Sequence, residues 1–120
     1  MKNKLFKNGR KTPLISINRN LITFLVKLSK QKRAKFIALL KKAQINTISE
    51  IFANFLKKRL TSDKKVIKKV SPYKAEIKKV AYKKTPLKEK LKVLVSNRGG
   101  NILALLLPLA VQLLTNIFNK

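Results

Sequence analysis

The sequence predicts an all-α protein, a small bundle of four to six short basic helices with a separate apolar C-terminal helix. Three observations predict it. Apolar residues recur at steps of three and four through a lysine-rich region. Ser, Thr, Asn and Asp stand just ahead of those runs, where helix caps belong. No stretch alternates apolar and polar residues as a half-buried strand would.

In order along the chain, residues 1–17 read as a flexible basic N-terminal tail, with Asn8-Gly9 and Thr12-Pro13 as turn signals. Residues 18–96 read as a lysine-rich helical domain. Asn20 is placed to cap a helix carrying Leu21, Phe24, Leu25 and Leu28 on one face, and Ser29 to cap the next, with Phe36, Ile37, Leu40 and Ala43 at helical spacing. Thr47-Ile48-Ser49-Glu50 has the spacing of a capping box, in which Thr47 accepts from the Glu50 amide while Glu50 reaches back. Behind it run Ile48, Ile51, Phe52, Phe55 and Leu56. Ser62-Asp63 starts a helix with Val66, Ile67 and Val70. Ser71-Pro72 and Thr85-Pro86 each pair a capping residue with proline at a first helical position, opening helices that bear Tyr73, Ile77, Val80 and then Leu87, Leu91, Leu94. These stripes are expected to form a core. The apolar run Leu21–Leu28 is short, contains Lys27 and precedes no small-residue cleavage site, so no signal peptide is expected; transit-peptide composition is the weaker match.

Composition removes most chemistry. Among 120 residues there are 30 Lys+Arg, only four acids (Glu50, Asp63, Glu76, Glu89), no His and no Cys, for a net charge of +26. Imidazole and thiolate metal sites, disulfides and Cys/His catalysis are absent, and no carboxylate pair is spaced for acid–base work. No enzyme, cofactor or metal is expected.

The charge calls for a polyanion. Residues 57–92 hold 15 basic residues and three acids. Lys57, Lys58, Arg59, Lys64, Lys65, Lys68, Lys69, Lys78, Lys79, Lys83 and Lys84 come in clusters beside the apolar stripes, which spreads charge of one sign over the solvent side of each helix. A merely soluble helix face mixes signs to gain i,i+4 pairs. Lys outnumbers Arg by 25 to 5, which suits phosphate contact without base reading. With few aromatics outside the stripes there is no stacking platform for single strands, so the expected partner is double-stranded DNA, bound non-specifically.

Charge then stops. Residues 1–100 carry 29 of the 30 basic residues and all the acids, whereas residues 101–120 carry Lys120 alone. Between them, residues 97–100, Asn97-Arg98-Gly99-Gly100, read as an exposed, extended Gly-Gly joint. Residues 101–120 read as a separate apolar C-terminal segment. Ile102, Leu103, Leu106, Leu107, Leu109, Val111, Leu113, Leu114 and Phe118 are its candidate contacts with a membrane or a partner such as a capsid protein. The 17 residues from Ile102 to Phe118 make a helix of roughly 25 Å, marginal for a bilayer. A last core helix is the structural alternative.

Arg98-Gly99-Gly100-Asn101-Ile102-Leu103-Ala104-Leu105-Leu106-Leu107-Pro108-Leu109-Ala110 resembles the Arg-Gly-Gly and leucine/proline-rich tail of the adenovirus core protein X (mu) precursor family. The whole chain looks more like the small basic X-like proteins of Polinton/Maverick elements and adintoviruses, with the Lys-Leu-rich run Thr85–Val95 ahead of Arg-Gly-Gly. The resemblance implies a virion core protein that condenses DNA, assembled in the host nucleus. It also implies that a viral cysteine protease cuts at Asn97, Arg98, Gly99 and Gly100, after the second glycine. The family's mature peptide is short and arginine-rich, whereas this chain is lysine-rich and patterned to fold. The expected function is therefore DNA condensation by a non-enzymatic core protein. A membrane-active or membrane-anchoring protein acting through residues 101–120, and a ribosomal-type RNA-binding protein, are the alternatives.

Overall fold

The structure, a computed structural model, describes residues 18–118, with side chains described through Thr115, and among these residues the chain is helical and contains no strand. The helices are α1 (Arg19–Lys27), α2 (Lys30–Ile37), α3 (Lys42–Leu56), α4 (Lys64–Val70), α5 (Lys74–Ala81), α6 (Leu87–Val95) and α7 (Asn97–Phe118), with a 3₁₀ turn at Ser71–Tyr73 joining α4 to α5. Six short helices and one long apolar C-terminal helix thus realise the predicted all-α class. The tail expected over residues 1–17 lies outside the described residues.

Caps set several boundaries as predicted. Ser29 Oγ accepts from the Lys32 amide at 3.3 Å, and Asp63 Oδ1 accepts from the Lys65 amide at 2.9 Å. Others shift. In the first helix Asn18, two residues before Asn20, takes the cap position, with no side-chain cap bond. Pro86 occupies the cap position of α6, one residue ahead of the first helical position. The Thr47–Glu50 capping box does not form, because α3 has already begun at Lys42, where Gln44 Oε1 accepts from the Lys41 amide at 3.0 Å. Thr47 instead donates to the Ala43 carbonyl at 3.3 Å and accepts from Asn18 Nδ2 at 3.0 Å, which ties α3 to the start of α1.

The centre of the bundle is α3. Every residue from Thr47 to Asn54 is buried, so this middle part of the helix is enclosed on all sides. Ile45, Ile48, Ile51 and Phe52 have no exposed surface. The same buried core takes in Ile22 and Leu25 of α1, Ile37 of α2, Val70 of α4, Ile77 and Val80 of α5 and Leu94 of α6, with α5 and α6 packed directly on α3. The chain leaves α3 through Lys58 at φ 60°, a left-handed turn that lets the Arg59 amide reach the Asn54 carbonyl at 2.8 Å.

The last helix is part of the same core. Ile102, Leu103, Leu106, Leu107, Ala110 and Leu114 of α7 are buried with the residues above, and α7 packs on α1, α2, α3, α4 and α6. Ala104, Pro108, Gln112 and Thr115 face solvent. Pro108 therefore removes a backbone donor on the solvent side, and the helix continues past it. A Cα radius of gyration of 13.1 Å matches the roughly 13 Å of a compact 100-residue domain.

Residues 97–100 correct the expected extended joint. They form the first turn of α7, and Gly99 and Gly100 are buried. Ser96 caps this turn, its Oγ accepting from the Gly99 amide at 3.0 Å and its carbonyl from the Gly100 amide at 2.9 Å. No linker separates α6 from α7. The two helices meet at a corner so tight that only glycine fits at position 99.

Candidate nucleic-acid interface

The lysine clusters keep to the solvent side because each helix turns its apolar stripe inward. On α4, Val70 is buried and Val66 and Ile67 are half-buried, which leaves Lys64, Lys65, Lys68 and Lys69 exposed. On α5, burial of Ile77, Val80 and Ala81 leaves Lys78 and Lys79 exposed. Lys83 and Lys84 are exposed on the loop between α5 and α6, and Lys58 and Arg59 on the loop after α3. Lys57 is the exception among the eleven candidates. It is half-buried, and burial first, then Arg59, pushes its ammonium below the ordinary lysine value.

Three of the four acids leave this surface unneutralised because other contacts occupy them, and the fourth, Glu89, pairs with one of its lysines, Lys79. Glu50 is fully buried within α3. Asp63 caps α4. Glu76 accepts from Arg98 Nε at 2.5 Å, and Arg98 also donates to the Pro72 carbonyl at 2.8 Å and stacks 4.8 Å from the centre of the Tyr73 ring. That bond holds the Glu76 carboxyl below its usual range and raises the Arg98 guanidinium. Glu89 lies 3.7 Å from Lys79. Residues 18–118 hold 24 basic side chains and these four acids, a net charge of +20.

The structure also brings Lys42, Asn46 and Lys90, which were not singled out from the sequence, together with residues that were. Lys42 and Asn46 of α3 meet Lys83, Lys84, Thr85 and Pro86 of the loop and Leu87 and Lys90 of α6 around a pocket of about 290 Å³. Lys90 is only 3% exposed, and its Nζ donates to Ser49 Oγ at 3.0 Å. Burial first, then Lys42, pushes its ammonium below the ordinary value. Arg33 is buried too, donating through Nε to the Leu25 carbonyl and through Nη2 to the Leu28 carbonyl, each at 3.0 Å. It thereby satisfies the C-terminal end of α1, and burial lowers its pKa.

No protein-family model, curated protein or solved structure matches the chain.

Among the described residues no three His, Cys, Asp or Glu side chains gather to hold a metal ion. The stretch Asn97–Thr115 of α7 is long and apolar enough to cross a membrane by length and composition, and 44% of it is buried inside the protein. Of the tail residues predicted to meet a membrane or partner, Ile102, Leu103, Leu106, Leu107 and Leu114 are buried, and Leu109, Val111 and Leu113 are half-buried. The Phe118 side chain lies outside the described ones. The candidate protease-site residues divide likewise. Asn97 and Arg98 are exposed but engaged, Asn97 by Lys30 and Arg98 by Glu76, while the glycines are covered.

Proposed function

We propose that this chain is a non-enzymatic protein that binds duplex nucleic acid, DNA first, through lysine–phosphate contacts without reading sequence. One observation carries the reading. Glu50, Asp63 and Glu76 are committed to the interior, a cap and Arg98, and Glu89 pairs with Lys79, while Lys64, Lys65, Lys68, Lys69, Lys78 and the lysines of the flanking loops stand in solvent with one sign. Uniform charge on a folded surface raises its free energy through self-repulsion, and phosphates relieve it. Lysine ammoniums suit this as point charges. The low aromatic content of the sequence, six Phe and two Tyr, favours a duplex over a single strand.

The resemblance over residues 98–110 supports a genome-condensing core protein of a virus or viral element as the setting. The folded corner at Ser96–Gly100 supports the uncut chain as the binding species, since scission after Gly100 first requires the start of α7 to unwind. A membrane role for α7 requires its buried leucines to leave the core, so the membrane reading ranks second.

The test is gel retardation of duplexes of unrelated sequence by the full chain. Affinities within a few fold of one another support the reading. A preference of about 1,000-fold for one duplex, the range of sequence-specific binders, overturns it.

A further inference from the structure

The pocket between α3, the α5–α6 loop and α6 differs from the rest of the basic surface. Its walls carry four lysines (Lys42, Lys83, Lys84 and Lys90) and the polar side chains of Asn46 and Thr85, and no carboxylate lines it. Lys90 enters it from the core side. An ammonium has three donors, and one of them is used on Ser49 Oγ. The pocket also adjoins the start of α6, whose dipole favours negative charge. At about 290 Å³ it sits at the lower edge of the range of ligand sites, about 300–1,000 Å³, which suits a small anion rather than a large organic ligand. The cationic groups come from two stretches of chain about forty residues apart, 42–46 and 83–90, so the fold itself assembles the concavity.

We propose that this pocket is a dedicated phosphate-oxyanion site, with Lys90 as the buried donor at its base and Lys42, Lys83 and Lys84 at its mouth. The phosphate belongs either to a nucleic-acid backbone or to a free anion such as pyrophosphate. In the first case the site deepens the nucleic-acid reading and rests on it; in the second it stands without it.

The test titrates inorganic pyrophosphate into the full chain at ionic strength held constant with chloride, following the melting midpoint by circular dichroism. Three variants are compared with the native chain: Lys42→Ala, Lys90→Met, and the double change Lys68→Ala/Lys69→Ala, which removes two charges from α4 outside the pocket. The expected result is saturable stabilisation of the native chain. Its apparent affinity should fall about tenfold or more in Lys42→Ala and Lys90→Met, as loss of a charge-assisted hydrogen bond implies, and less than about twofold in the α4 variant. Lys42 is exposed, so Lys42→Ala keeps the test decisive if Lys90→Met misfolds. Equal losses in all variants, or no saturation at millimolar pyrophosphate, overturn the site. Duplex retardation by the same proteins assigns the source. Pyrophosphate competition, together with a greater loss in Lys42→Ala than a single Lys68→Ala change produces, supports backbone phosphate. Saturable pyrophosphate binding without any duplex binding supports the free anion and sinks the nucleic-acid reading alone.

Discussion

Gly99 lies directly against the Val93 carbonyl: a Cβ at this position would sit 1.9 Å from that oxygen and 2.9 Å from Leu94 Cα. Both neighbours are backbone of α6 and cannot move aside without opening the corner. At Gly100 the nearest atoms belong instead to the flexible Lys30 side chain, the closest at 2.8 Å.

Gly99→Ala and Gly100→Ala should therefore separate. The first should destabilise the fold by about 1–3 kcal/mol, the range for forced overpacking. At Gly100, a helix-propensity gain of up to about 1 kcal/mol offsets displacement of Lys30, so the midpoint should stay near the native value. Thermal melts of the two variants check this.

Lys90→Met should raise stability by about 1 kcal/mol, or about 4–8 °C in melting midpoint for a small domain. It replaces a buried ammonium, lying close to Lys42, with an apolar chain of similar length. A lysine held below its unfolded value binds fewer protons when folded, so its contribution to stability rises as pH climbs from the folded pKa towards the unfolded value near 10.5. The native-minus-variant stability difference should move in favour of the native chain across that alkaline window. Paired denaturant melts up to pH 11 measure it.

Glu76→Gln should lower the melting midpoint at neutral pH and leave it unchanged in strong acid. Its hydrogen bond to Arg98 depresses the Glu76 pKa, so the pair's contribution is full above the unfolded carboxyl value of about 4.3 and fades as pH falls through the folded value. Midpoints of both proteins between pH 2 and 7 should converge at the acid end.

Heparin should raise the midpoint of the native chain and should do so less at high salt. Saturation at 100 times the dissociation constant adds about 2.7 kcal/mol by linkage, with the relief of repulsion on α4 and α5 contributing to that affinity. An unchanged midpoint at saturation contradicts a repulsion-limited fold.

Local signals were the legible ones. Ser29 and Asp63 act on amides two or three residues away, so spacing alone reveals them. The Thr47–Glu50 pattern misleads because the same spacing occurs inside a helix begun five residues earlier, and enclosure of α3 decides its role. Gly99-Gly100 reads locally as a break, yet its cause is tertiary, the approach of α7 to Val93. Lys90 looks like one more surface lysine in a lysine-rich run. Its signal was present, since Leu87, Lys90 and Leu94 fall at steps of three and four and share the face that α6 turns inward. Which exposed lysines converge depends on how α3 meets the α5–α6 loop, and no sequence period encodes that.

The most direct test of polyanion binding through surface lysines is the salt dependence of duplex DNA affinity for the full chain. Neutralising about ten phosphates predicts a log–log slope near −9, with binding lost at high salt and equal slopes on unrelated duplexes. A shallow slope, or strong binding that persists in about 1 M salt, would contradict the account.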